Sequence, residues 1–112
     1  MLTRDLMKWF WNHYIADEDQ ANDPYVSPLR TKNFSDLPQA LIITAEYDPL
    51  RDEGEAYGKM LQEAGVKVTL SCYPGMIHGF IRMTARLDKA KEALDEIACK
   101  LKGILRIQKI ET

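Results

Sequence analysis

The sequence predicts an α/β fold: one strand–helix–strand unit with parallel strands at about 39–47 and 66–73, and a helix at each end. Three observations carry this. Ala40-Leu41-Ile42-Ile43-Thr44-Ala45 is a short continuous apolar run, the mark of a strand buried on both faces of a parallel sheet. Val66, Val68, Leu70 and Cys72 alternate with Lys67, Thr69, Ser71 and Tyr73, as expected of a half-exposed strand at or near a sheet edge. Between the two runs, Tyr57, Met60, Leu61 and Ala64 recur at i, i+3, i+4 and i+7, so a helix makes the crossover and the strands run parallel.

The elements follow in order. Residues 3–15 read as a helix: Thr3 can cap it, Asp5 lies in its first turn, and Leu6, Trp9, Phe10, His13 and Tyr14 recur at helical spacing. Met7 and Trp11 widen that stripe, so this helix needs partners on more than one face. Residues 16–38 form a connector holding Asp17-Glu18-Asp19, Asp23-Pro24, Ser27-Pro28 and Leu37-Pro38. Proline at this density argues against regular structure, and the length marks a functional or covering segment. Asp48-Pro49 ends the first strand. Asp52 and Glu55 have capping-box spacing at the start of the second helix, and Gly65 stops it. Pro74 and Gly75 terminate the second strand. From about Thr84 a long helix carries Leu87, Ala90, Leu94, Ile97, Leu101 and Leu105 on one stripe.

Composition narrows the function classes. At 112 residues, 46% hydrophobic and 29% charged, the chain fits one soluble domain, with a modest core and little room for a pocket plus a complete catalytic apparatus. No apolar run nears the ~20 residues of a membrane span, and Met1 to Asp5 lacks the layout of a secretory signal. A net charge of −2 with interspersed signs leaves no footprint for nucleic acid. Cys72 and Cys99 form neither a metal cluster nor a disulfide framework, which suits a reducing cytoplasm. Cys72 falls on the inward side of its strand and Cys99 beside the apolar stripe of the last helix, so both read as packing residues. His13, among aromatics, reads as a partly buried structural histidine. Asp17, Asp19 and Asp23 have alternate spacing, but Ala21 and the lack of a following glycine break the calcium-loop pattern. No metal or cofactor is expected.

Parallel strands send the loops that follow them to the same sheet edge, where open α/β sheets hold their functional groups. Asp48 follows the first strand and His78 the second, so two residues thirty apart in sequence are expected side by side. A carboxylate beside an imidazole can fix its tautomer and stabilise the imidazolium. From the residues alone, a structural or solvated pair stands as the alternative to a catalytic one.

Glu46-Tyr47-Asp48-Pro49-Leu50-Arg51-Asp52-Glu53-Gly54, with Tyr73-Pro74-Gly75-Met76-Ile77-His78-Gly79-Phe80 downstream, resembles the C-terminal part of the hormone-sensitive-lipase-like carboxylesterases, which are α/β-hydrolases. The resemblance implies a single C-terminal segment over 1–112: a cap-like helix at 1–16, a connector at 17–38 and a βαβα unit at 39–112 forming part of an α/β-hydrolase sheet. It implies Asp48 as triad acid, His78 as triad base, Asp52 as helix cap and a short-chain acyl ester as substrate.

The departures are equally specific. The serines stand at 27, 35 and 71, none in a Gly-x-Ser-x-Gly setting, and His78-Gly79-Phe80 is not the His-Gly-Gly run that supplies oxyanion-hole amides. The expectation is a C-terminal fragment or split portion of a serine carboxylesterase, inactive alone. The alternatives are a non-catalytic oligomerising module and a truncation product. The 40–45 strand edge and the aromatic first helix are expected to recruit a second copy or a complementing chain.

Overall fold

The computed structural model describes the backbone of residues 1–111 and the side chains of residues 1–106. It divides into two units, Met1–His78 and Gly79–Thr112.

In the first unit, helix α1 (Arg4–Tyr14) begins where Thr3 Oγ1 accepts from the Leu6 amide at 3.2 Å. No residue of α1 is buried. Trp9, Phe10, Trp11 and Tyr14 all stand exposed, so the partners this stripe calls for are not supplied within the unit. His13 is exposed rather than partly buried. It is held by its own helix, with Nδ1 2.8 Å from the Trp9 carbonyl and its ring 4.1 Å from that of Trp9.

The connector is more regular than its prolines suggest. It contains 3₁₀ turns at Glu18–Asn22 and Pro28–Arg30. Asp17 Oδ1 caps the first by accepting from the Gln20 amide. Pro28 opens the second, where an absent N–H costs nothing because the first amides of a helical turn have no internal acceptor. The connector also places Phe34 in the core.

Strands β1 (Ala40–Ala45) and β2 (Val68–Tyr73) pair in parallel from Ala40↔Val68 to Ala45↔Tyr73. Only Thr44 and Ala45 of β1 are buried; the rest of the strand is half-buried rather than covered on both faces, in a sheet of two strands among the described residues. Phe34, Leu61 and Val66 form the core of the unit, with Ala40, Ile42, Tyr57, Met60 and Val68 packed around them. Phe34 meets Tyr57 edge-on at 5.9 Å, a favoured arrangement of aromatic rings.

Helix α2 (Arg51–Glu63) is capped two residues ahead of its expected cap, Asp52. Leu50 is the N-cap and makes no side-chain bond, so Asp52 is not the cap. The reason lies in the preceding turn: Asp48 Oδ1 accepts from the Leu50 amide at 2.8 Å and the Asp48 carbonyl accepts from Arg51. Asp52 sits in the first turn instead, where a carboxylate complements the helix dipole. The helix ends as its glycine indicates. Gly65, at φ +87°, donates to the Gln62 carbonyl, and Val66 donates to Leu61. These two bonds make a Schellman ending, and the apolar contact that accompanies it is Val66 beside Leu61 in the core.

Gly54 and Gly58 let α2 lie close on the sheet, for a Cβ at Gly58 would stand 2.8 Å from Leu70 Cδ2. A glycine covers less than a side chain, and Leu70 keeps 37% of its surface exposed. Cys72, further along the same face, is exposed as well, so it is not the core residue that alternation suggests.

In the second unit, a 3₁₀ turn at Phe80–Arg82 precedes helix α3 (Asp88–Glu111). The helix begins four residues after Thr84, because Arg86 and Leu87 both donate to the Met83 carbonyl and close a separate turn first. Its buried line runs through Ala90 and Ala93, while Leu94, Leu101 and Leu105 of the expected stripe are exposed. Cys99 lies off that line and is exposed. No described helix is long and apolar enough to cross a membrane.

Candidate active site

The site is built by the segments that follow β1 and β2. Beyond the last ladder pair, Ala45↔Tyr73, the two segments stay bonded to each other. The Glu46 amide donates to the Tyr73 carbonyl at 3.2 Å, and the Tyr47 amide donates to Met76 at 2.9 Å. Glu46 Oε1 accepts from the Gly75 amide at 2.9 Å. The next link is the side-chain pair itself: His78 Nδ1 lies 2.8 Å from Asp48 Oδ2.

Each oxygen of Asp48 has its own donor. Oδ1 takes the Leu50 amide and Oδ2 takes the His78 ring. The Leu50 bond fixes the carboxylate in the turn that starts α2, so the group that orients the imidazole is itself oriented by backbone. The Asp48 side chain is largely shielded, at 12% exposure, and the His78 side chain is 43% exposed. With Nδ1–H given to the carboxylate, Nε2 is left as the proton acceptor of the ring.

Arg51 secures the edge of this arrangement. Its Nη1 donates to the Glu46 carbonyl at 2.8 Å and its Nε to Asp52 Oδ1 at 3.1 Å. The hydrogen-bonded Asp52 carboxylate raises the Arg51 pKa further above its ordinary value, so the guanidinium stays charged. Its carboxylate partner is Asp52.

An open apolar recess of about 550 Å³ is lined by Met7, Phe10, Trp11 and Tyr14 of α1 together with Leu50. Leu50 joins the recess to the turn that holds Asp48. Among the described residues no three His, Cys, Asp or Glu side chains converge as a metal site, and Asp17, Asp19 and Asp23 do not gather as one.

Asp48 and His78, singled out in the sequence, are thus brought together. Glu46 and the Leu50 amide, which hold them there, were not singled out. The available signal for Glu46 was a carboxylate directly after an apolar strand and two residues before Asp48.

The family model described as alpha/beta hydrolase fold matches residues 1–82, a stretch that contains both strands, α2, Asp48 and His78. The chain belongs to this family. Among curated alpha/beta hydrolase relatives, the ethyl acetate hydrolase of Pseudomonas putida is 38% identical over 94 residues, covering 84% of this chain and 30% of that protein. The arylesterase of Saccharolobus solfataricus is 48% identical over 68 residues, covering 61% of this chain and 22% of its own. Among solved alpha/beta hydrolase structures, an esterase of Pyrobaculum calidifontis superimposes with a TM-score of 0.88 at 45% identity, covering 94% of this chain and 34% of that one. The chain therefore spans about a third or less of the length of these relatives, which are carboxylic ester hydrolases.

Proposed function

We propose that these 112 residues supply the acid and the base of a Ser-Asp-His triad that hydrolyses carboxylic esters. The observation that supports the reading is the 2.8 Å contact from His78 Nδ1 to Asp48 Oδ2, with the second carboxylate oxygen tied to the Leu50 amide.

In that reading, His78 Nε2 takes the proton of a serine hydroxyl while the serine oxygen attacks the ester carbonyl carbon. Asp48 stabilises the imidazolium that forms and keeps its ring in orientation. The tetrahedral intermediate collapses, the ester C–O bond breaks, and the imidazolium returns the proton to the departing alcohol. Water then repeats the sequence on the acyl-serine, and His78 is again first base and then acid. The substrate class is a short-chain acyl ester, supported by the resemblance in the two motifs and by the named activity of the ethyl acetate hydrolase relative. The two exposed thiols suit a reducing cytoplasm.

The nucleophile and the oxyanion donors lie outside these residues, because none of Ser27, Ser35 and Ser71 stands in a Gly-x-Ser-x-Gly turn. Removing one oxyanion donor costs about 2.7–4 kcal/mol, and losing a nucleophile costs about 10⁶-fold in rate. These 112 residues alone are therefore inert toward p-nitrophenyl butyrate. The test is the hydrolysis rate of the purified chain beside that of His78→Ala. Equal rates at background are expected. Turnover that survives purification and vanishes in His78→Ala would contradict this division of the triad.

A second reading, a non-catalytic oligomerising module, is favoured by one observation: no residue of α1 is buried and its aromatic side chains are exposed. That reading requires a stable assembly with no catalytic contribution from His78 under any circumstances.

A further inference from the structure

We propose that Glu46 is a positioning residue: its carboxylate pins the loop that carries His78 in register with Asp48. This rests on the reading of Asp48 and His78 as acid and base. Glu46 is bonded in three directions at once. Its amide donates to the Tyr73 carbonyl at 3.2 Å, which continues the strand ladder by one step. Its carbonyl accepts from Arg51 Nη1 at 2.8 Å, which ties it to the first turn of α2. Its side-chain Oε1 accepts from the Gly75 amide at 2.9 Å, across 29 residues of sequence.

The third bond is the one that the backbone has no means to supply. After Tyr73 the chain passes Pro74, which has no N–H, and Gly75, which turns at φ +74°. A positive φ of this size takes β2 out of its extended course, so the regular ladder ends at Tyr73. The Gly75 amide is the first N–H after that break, and a half-buried carboxylate from the opposite loop receives it. The next bond along, Tyr47 amide to Met76 carbonyl at 2.9 Å, runs in the opposite sense, from the β1 loop to the β2 loop. Two bonds of opposite direction on successive residues fix both separation and register. His78 follows two residues later, at 2.8 Å from Asp48. Glu46 is not placed to touch a reacting atom; it acts through the His78 loop.

A hydrogen bond of this kind shifts an equilibrium by roughly two- to tenfold. The experiment is ¹⁵N and amide NMR on the whole 112-residue chain. In the unaltered protein, the Gly75 amide proton is expected to titrate in step with the Glu46 carboxylate, and the His78 ring to be mainly the Nδ1–H tautomer. In Glu46→Ala the ratio of Nδ1–H to Nε2–H tautomer falls roughly two- to tenfold by the same argument. In Glu46→Gln it returns toward the original value, because the amide oxygen still accepts from Gly75.

A Gly75 amide indifferent to the Glu46 titration would overturn the proposal without recourse to any variant. So would a tautomer ratio unchanged in Glu46→Ala, or one lowered equally in Glu46→Gln. A His78 ring that is not Nδ1–H in the unaltered protein would instead count against the Asp48–His78 pair, and so distinguishes the two failures.

Discussion

Asp48 receives the Leu50 amide on Oδ1 at 2.8 Å and the His78 ring on Oδ2 at 2.8 Å, so one carboxylate both opens helix α2 and orients an imidazole thirty residues away. The two tasks reinforce each other. An Asp in a turn accepts from the amide two residues on, and that bond leaves one oxygen aimed away from the turn. The parallel pairing of β1 and β2 then delivers the second loop to the same edge of the sheet. The turn and the imidazole contact use different oxygens of the same side chain.

The first prediction concerns the ring. In Asp48→Asn, the amide NH₂ can donate to His78 Nδ1, which favours the Nε2–H tautomer and removes the proton acceptor that the proposed triad requires. The ¹⁵N shifts of His78 should move accordingly. In an enzyme completed with a nucleophile the same change should lower kcat by about 10⁴, the scale known for a triad left in the wrong tautomer.

The second concerns the end of α2. Gly65 sits at φ +87° with nothing near enough to meet an added Cβ, so the effect of Gly65→Ala is one of backbone conformation alone. A loss of about 1–2 kcal/mol is expected, read as a lower urea midpoint at unchanged slope.

The third separates the core from the helix surface. Leu61 is 2% exposed and touches Phe34 and Val66, and its replacement by Ala should cost about 2–5 kcal/mol. Leu101 is 54% exposed, and Leu101→Ala should stay within about 0.5 kcal/mol of the parent. A reading of α3 from its leucine stripe predicts similar large losses at both positions, so equilibrium unfolding of the two variants discriminates.

The contrast shows what the chain makes legible. A continuous apolar run, a period-3.6 pattern and a period-two pattern identify β1, α2 and β2, because an apolar residue recurs wherever one face of an element packs on another. The turn chemistry of Asp48-Pro49 and the stop at Gly65 are legible for a similar reason: few residues tolerate those conformations. The pairing of Asp48 with His78 follows from parallel topology without knowledge of a single distance. What escapes is of another kind. Phe34 lies in a proline-rich stretch with no period, so nothing local marks it as core. Glu46 acts on a backbone amide 29 residues away, and a contact to backbone leaves no partner side chain to notice. Asp52 fits a capping box by spacing, yet the Asp48 turn starts the helix earlier and takes the cap from it.

The fourth prediction is association. β1 and β2 are the two strands of this sheet among the described residues, so each has an outer edge, and α1 presents Trp9, Phe10 and Tyr14 to solvent. Unpaired edges and exposed aromatic faces recruit partners. Sedimentation at tens of micromolar should give a dimer or a larger species; a compact monomer would speak against a role for either surface.

The account is tested most directly by grafting these residues into the Pyrobaculum calidifontis esterase in place of the third of that chain that they match. The quantity to measure is kcat/KM for p-nitrophenyl butyrate, with His78 intact and as His78→Ala. The account predicts hydrolysis by the graft and a loss on the order of 10⁶-fold in His78→Ala. A folded, active graft whose rate is indifferent to His78 would contradict it.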